Sequence, residues 1–414
     1  MARRARALHI LLRVAMREVS PAVLAHKESR KALSAMQAFA HVEGTVAKLT
    51  RSLYPWLYPT YKSIQEMYIN TLKGSDEWGI VTTGGGKHFY MMQHLIVSLR
   101  EIFQIDAPIQ VFYGGAKDLD PAQVRVLESY EGVTTHNALN YFPYETRQWG
   151  QWSLKPFSML ASSFRRVLFI DADVLFFQDP IRAVLQHPAF KETRQVFFRD
   201  RKIYDERFIG GSELFRDMNK YKSRYAKTLG YSRAYEDMTG ETHQMESGVI
   251  AMDKGDFGVL MGLLLAAKMN SKDERDDMLY ALTWGDKEAF WFATEALRIP
   301  YRFNEAYGGC LGESGKLKDP ALDRNTTCGP GLLQVDHKLQ PLFFNGGFLR
   351  DRYAEPEKAE FIPYDRIGTD VRGDVRWVGG GCLHGKEDNV RPTNEKEKRI
   401  FKDLERLFKN LTVV

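Results

Sequence analysis

Cysteine is scarce. Cys310, Cys328 and Cys382 are the three in 414 residues, too few for a disulfide-built scaffold and without the CxxC spacing of a structural zinc site. Cys310 and Cys328 can still pair across their short loop. Long apolar runs are missing as well: no stretch reaches the roughly 18–20 residues that a membrane-spanning helix requires. Residues 7–16 form a short apolar stretch that carries Arg13, and residues 261–269 contain Lys268 and read as a buried helix. There is little net charge, +5 from 58 basic and 53 acidic side chains, and the excess is local. Nine basic against three acidic residues fall in positions 1–50, so the remainder is close to neutral. A nucleic-acid binder spreads its basic patch over the folded body; here the basic arm instead faces a membrane surface or solvent. Internal repeats and low-complexity tracts are absent.

What is present is enough apolar sequence, 44% of residues, to bury a large core. Residues 1–75 read as a basic helical stem or N-terminal extension, with Pro55 and Pro59 in an aromatic run. From Trp78 onward short apolar strands alternate with helical stretches, the rhythm of a βαβ sheet. Strands are expected at 78–83, 108–115, 166–173, 195–200, 247–253, 331–336 and 341–345, and helices at 92–103, 121–130, 156–164 and 289–297. The division that follows is a catalytic α/β domain over 76–390 and a C-terminal amphipathic helix over 391–414. In that helix Ile400, Phe401, Leu404, Leu407 and Phe408 share one face that docks on the body. The sequons at Asn325 and Asn410 are compatible with a secretory-pathway location.

The sharpest chemical signal is the apolar run Val167–Ile170 followed by Asp171-Ala172-Asp173. Alternation along an extended chain puts both carboxylates on one side, where a single hard cation can meet them. They sit at the carboxyl end of a strand, where open α/β sheets bind ligands. A haloacid-dehalogenase-type reading fails because Leu175 stands where Thr or Val is needed. A P-loop reading fails because Val81 replaces its first Gly and His88 its Ser or Thr. The Gly84-Gly85-Gly86 turn is a place for a ligand to approach the backbone, with Thr82, Thr83 and Gly84 as donor-binding candidates, or a plain flexible turn.

The ordered segments GIVTTGGGKHF (79–89), LIVSLR (95–100), 154–180, MESGVIAMDK (245–254), GDKEAFW (285–291) and QVDHKLQPLFFNGG (334–347) resemble the fungal α-1,3-mannosyltransferases of glycosyltransferase family 71. A fainter resemblance to glycogenin-like family 8 enzymes lies in the Asp-x-Asp and Ser-Gly-Val elements. The resemblance implies a GT-A fold, a Rossmann-like mixed sheet flanked by helices. It also implies a GDP-mannose donor, Mn²⁺, transfer with retention to a mannoside or glycan acceptor, and the Golgi lumen, with any membrane association through a missing or degraded N-terminal anchor. By analogy Asp173 is the firmer metal ligand and Asp171 shares its oxygens between metal and ribose. A third ligand is expected from His337, with His384 or water as alternatives. Lys155 and Arg201 offer positive charge to phosphates, or are simply ion-paired.

Ser247 and Gly248 open an inner strand where small residues admit the sugar. Asp286 and Glu288 stand beside the mannose hydroxyls and acceptor as catalytic candidates, although Asp286 also fits a helix cap. Tyr141, Phe142, Tyr144, Trp149 and Trp152 form either a sugar-stacking wall or core packing. Without an obvious nucleophile, retention suggests front-face attack in which the leaving phosphate helps deprotonate the acceptor. Two alternatives stay open: the same fold with a UDP-sugar donor, and a non-catalytic glycosyltransferase-like binding protein.

Overall fold

The computed structural model describes residues 1–18, 43–58, 60–74, 78–142, 152–202, 244–315, 325–379 and 381–414. Its first sheet has the order β3-β2-β1-β4-β7-β6. The strands are β1 (Trp78–Thr83), β2 (Ile109–Tyr113), β3 (Val133–Asn137), β4 (Arg166–Ile170), β6 (Gln195–Arg199) and β7 (Met245–Asp253). The first four run parallel, and β7 lies antiparallel to both β4 and β6. Helices cover both faces, so β7 is buried along its length and β4 is buried beyond Arg166, which is why β4 reads as a nearly unbroken apolar run. This is a Rossmann-like mixed sheet flanked by helices.

A second, antiparallel sheet takes in the strands expected at 331–336 and 341–345, while its other members carry no such signal in the sequence. It contains β8 (Tyr307–Ser314), β9 (Thr326–Val335), β11 (Arg366–Asp370), β12 (Arg376–Val378), β13 (Cys382–His384) and β14 (Val390–Pro392). Pairing of β10 (Pro341–Asn345) with both β9 and β5 (Val174–Phe176) brings the chain that leaves β4 into this sheet. The boundary between the two sheets therefore falls at residues 171–173. The disulfide joins Cys328 to Cys382, facing partners on β9 and β13, and Cys310 is a buried free thiol. The pairing left open for Cys310 and Cys328 is thus not the one formed: β13 carries Cys382 opposite Cys328 in the register.

The first 75 residues are not peripheral where they are described. In the helix Ala2–Glu18, Ala5, Leu8 and Leu12 are fully buried in the main core. Spaced three and four residues apart, they form one apolar stripe, and Arg6 Nε donates to the carbonyl of Ala296 at 3.0 Å. Trp56 is buried with its ring edge-on to Phe142 and Phe157. Phe142 is therefore core, not sugar-stacking wall; Tyr144 and Trp149 lie outside the described residues.

The helix Leu154–Ala161 is held at its C-terminal end by Lys254, whose ammonium donates to the carbonyls of Met159 and Ser162, both at 2.8 Å. Burial pulls the Lys254 pKa down to about 7, yet three oxygen acceptors at a helix C-terminus suit the charged form.

The C-terminal helix Glu395–Lys409 begins with a capping box made by Asn394 and Glu397 and buries the five apolar residues named above. It packs on Phe89–Glu101, where His94 Nε2 lies 2.9 Å from the Leu404 carbonyl and its ring meets Phe348 and Phe408. Burial holds His94 near a pKa of about 4. The neutral ring is therefore the folded form, donating Nε2–H. Because the folded pKa is depressed, this stability is complete above pH 6.5 and is lost as pH falls toward 4, at up to about 1.4 kcal/mol per pH unit. Thermal unfolding of wild type between pH 7 and 4.5 should show that slope, and His94→Gln should flatten it. Identical slopes would show that another group governs the transition.

Candidate active site

β4 ends at Ile170 because the chain turns there. The amide of Val174 donates to the Asp171 carbonyl at 3.1 Å, and the Asp171 amide donates to Gly248 at 2.7 Å. Asp171 and Asp173 consequently meet across a tight turn between the two sheets, not by alternation along one extended strand. They remain close enough for Asp173 to help raise the pKa of Asp171.

Lys155 is the centre of the cluster. The helix Leu154–Ala161 carries it into the sheet with only 3% of its surface exposed. Its ammonium lies 2.7 Å from Asp171 Oδ2, 3.6 Å from Asp286 Oδ2, and donates to Ser247 Oγ at 3.1 Å. Burial works against that charge, but Asp171 and Asp286 outweigh it and lift the pKa above its ordinary value. Desolvation, seconded by Asp173 and Asp286, pushes Asp171 up to about 7 despite Lys155. Burial likewise raises Asp286, with Lys155 opposing. The Ser247 hydroxyl bonds to both Lys155 and Asp286, so it bridges the pair.

Asp286 is not a helix cap. It precedes the helix Lys287–Leu297 without making a side-chain capping bond, and its buried Oδ2 has no hydrogen-bond partner. Glu288 is different: Oε1 accepts from the amides of Gln244 and Met245 at 2.9 and 3.2 Å, and Oε2 accepts from Trp291 Nε1. With both oxygens engaged, Glu288 pins the start of β7 and has nothing left to offer an acceptor, which corrects its placement among the catalytic candidates.

Gly248 is small for a local reason. A Cβ there would come within 2.5 Å of Asn345 Nδ2 and 2.8 Å of Glu246 Oε1. Those two side chains bond across it at 2.6 Å, so the space belongs to the protein and not to a sugar. Gly85 behaves similarly, since a Cβ would lie 2.0 Å from Asp118 Oδ1. Thr82 is fully enclosed, its hydroxyl without a protein partner, while Thr83 and Gly84 reach the half-exposed rim. Arg201 lies over the Trp377 ring of the second sheet, 5.4 Å from its centroid.

Neither histidine reaches the carboxylates. β10 runs antiparallel to β5 with Asn345 opposite Val174 and Phe343 opposite Phe176. His337 lies in the turn before Pro341, beyond the far end of that pairing, about 13 Å from the Asp173 end at ~3.3 Å per strand residue; its ring neighbour is His187. His384 bonds to Thr326 near the disulfide. What the sequence did not flag is Arg352. It pairs with Asp173 Oδ2 from the loop after β10, a loop started by Gly346 and Gly347 at positive φ. His88 senses both Asp173 and Arg352, and Glu246, raised to about 7 by burial, extends the acidic wall.

With Lys287 and, at 3.9 Å, Arg201 paired to Asp200, five carboxylates (Asp171, Asp173, Asp200, Glu246, Asp286) face four cations (Lys155, Arg201, Lys287, Arg352). That deficit of positive charge, together with the Glu246 Oε2 and Asp286 Oδ2 that make no hydrogen bond, fits a divalent cation and a polyhydroxylated ligand. Among the described residues no three His, Cys, Asp or Glu side chains converge to hold an ion by themselves. A cation would rest on Asp171 and Asp173, with water and ligand oxygens completing its shell.

The family model "Mannosyltransferase putative" matches residues 77–336, a span that contains this whole cluster. The chain belongs to that mannosyltransferase family. It is 26% identical over 213 residues to the Candida albicans protein named "Putative alpha-1,3-mannosyltransferase MNN15", covering 48% of this chain and 27% of the relative. It is 22% identical over 256 residues to the Saccharomyces cerevisiae alpha-1,3-mannosyltransferase MNT3, covering 55% of this chain and 38% of the relative. The chain thus spans well under half the length of these two relatives. The solved structure of the S. cerevisiae mannosyltransferase Ktr4p in complex with GDP aligns over 60% of this chain and 82% of its own, at 11% identity and a TM-score of 0.32, too distant to carry residue correspondences.

Lys155→Met removes the one cation shared by two buried carboxylates, and should cost about 3–5 kcal/mol of stability, read as a lowered denaturant midpoint. Adding Asp171→Asn to that variant should recover part of the loss. A cost below about 1 kcal/mol would show that the cluster is solvated and not a closed ion network.

Proposed function

We propose that this chain carries the donor site of a retaining, metal-dependent mannosyltransferase that moves mannose from GDP-mannose to a mannoside or glycan acceptor, forming an α-1,3 linkage. Lys155, Asp171, Asp173 and Asp286 converge at the end of β4, inside the matched family region. That convergence is the observation that carries the proposal. The donor and linkage come from the resemblance and from the relatives' names. Mn²⁺, held by Asp171 and Asp173, would supply Lewis-acid neutralisation of the departing diphosphate.

The chain's own groups then have distinct tasks. Lys155 fixes Asp171 with one oxygen occupied. Arg352, about half-exposed and paired with Asp173, is placed to move onto phosphate oxygens. Asp286, whose Oδ2 faces Lys155 at 3.6 Å without a hydrogen bond, accepts from a sugar hydroxyl or steadies positive charge developing at the anomeric centre. No carboxylate stands free and exposed for in-line attack among these residues, in keeping with front-face transfer assisted by the leaving phosphate. The disulfide and the exposed sequon residue Asn410 suit an oxidising compartment such as the Golgi lumen. Among the described residues no helix is long and apolar enough to cross a membrane.

Hydrolysis of GDP-mannose, UDP-glucose and UDP-galactose, each with and without Mn²⁺, tests the reading. GDP-mannose with Mn²⁺ should be turned over preferentially, and Asp173→Ala should lower the rate by about 10²–10³-fold. Preference for a UDP-sugar would transfer the site to the other donor class. A rate unaffected by Asp173→Ala would remove the metal role, and trapping of a mannosyl adduct on a carboxylate would replace front-face transfer.

A further inference from the structure

Two indoles stand exposed beside the buried charge cluster, and the donor reading uses neither. Trp152 is 50% exposed and Trp284 48%, whereas Trp56 and Trp291 are buried almost completely. Both exposed rings sit where a helix is about to begin. Trp152 precedes Leu154–Ala161, and its carbonyl accepts from the Lys155 amide at 3.2 Å. Trp284 precedes Gly285 and Asp286, just ahead of Lys287–Leu297. Those two helices bring Lys155 and Asp286 to within 3.6 Å of each other, so the two indoles flank the same cluster.

The Trp152 ring lies on Gly285, the residue that follows Trp284. A Cβ on that residue would lie 2.7, 3.2 and 3.4 Å from Cε3, Cζ3 and Cδ2 of Trp152. Three ring atoms at such graded distances mean that the indole covers the glycine backbone, and the φ of +75° there is open chiefly to glycine. Tyr280 backs Trp152 at 6.4 Å between centroids. Arg275 lies over Tyr280 at 5.9 Å and donates to Ser153 Oγ at 3.2 Å, while also binding the half-exposed Asp276. The platform is therefore braced from below and rimmed by charged hydrogen-bonding groups.

Exposed apolar area of this kind marks a surface that a ligand covers. Two indoles are too small for a protein interface, which needs about 800 Å² per partner. They match a pyranose, which has an apolar C–H face for an aromatic ring and hydroxyls at its edge for a half-exposed carboxylate such as Asp276. The geometry points to Trp152 and Trp284 as a stacking platform for the acceptor glycan, placing its reacting sugar beside Asp286. This rests on the transferase reading but concerns the acceptor side, and the two can fail separately.

Saturation-transfer NMR with an α-linked mannobiose, with and without GDP and Mn²⁺, tests it on the full chain. Wild type should transfer saturation to the pyranose C–H protons. Trp152→Ala and Trp284→Ala should each weaken mannobiose binding about tenfold, and the double variant should abolish the signal. GDP binding by calorimetry should stay within about twofold of wild type in all variants, which also reports that they are folded. Equal signals in wild type and the double variant, or no signal from wild type in either condition, would overturn the platform. Absence of GDP binding by wild type would instead count against the donor reading.

Discussion

One ammonium group, buried between two carboxylates, organises the structure. Lys155 can keep its charge out of water only because Asp171 and Asp286 share it, and each of these three residues belongs to a different part of the chain. Asp171 closes β4, Asp286 precedes a helix some hundred residues later, and Ser247 between them lies on the antiparallel neighbour of β4. The ion network therefore does in polar terms what the core does in apolar ones: it fixes segments remote in sequence against one another. The helix that carries Lys155 is tied at its other end by Lys254, whose three acceptors hold the last carbonyls in place. Two buried lysines thus define the position of one short helix.

The parallel half of the molecule was readable because burial on both faces writes itself into sequence as continuous apolar runs. β1 begins and ends at the expected residues, and β7 falls within two residues of expectation, while β4 stops three residues short of it. The antiparallel sheet was readable only at β9 and β10, for the complementary reason. β8 is interrupted by glycines that let β9 and β11 approach: a Cβ on Gly312 would meet the Cys328 carbonyl at 2.1 Å, and one on Gly309 the Gly368 carbonyl at 2.2 Å. Its other members, β12 to β14, are three residues long. Neither feature leaves an alternation to detect.

The site divides in the same way. Asp171, Asp173, Lys155, Ser247 and Asp286 were all named beforehand, and all lie in one cluster, because each stands at the end of a legible element. Arg352 carries no local signature; only the folding of the loop after β10 brings it to Asp173. His337 misled because proximity in a motif is not proximity in space: the β9–β10 turn points to the other end of β5. Glu288 and Gly248 were correctly singled out as constrained positions, but the constraint is internal. One saturates three donors, and the other makes room for the Asn345–Glu246 bond.

The helix Ala2–Glu18 lies against the helix that starts just after Asp286, and Arg6 grips the carbonyl of Ala296 near that helix's end. The Ala2–Glu18 helix is thereby a buttress for the wall on which Asp286 is mounted. Shortening the chain from its amino end would not simply trim an appendage; it would loosen the footing of Asp286 from behind.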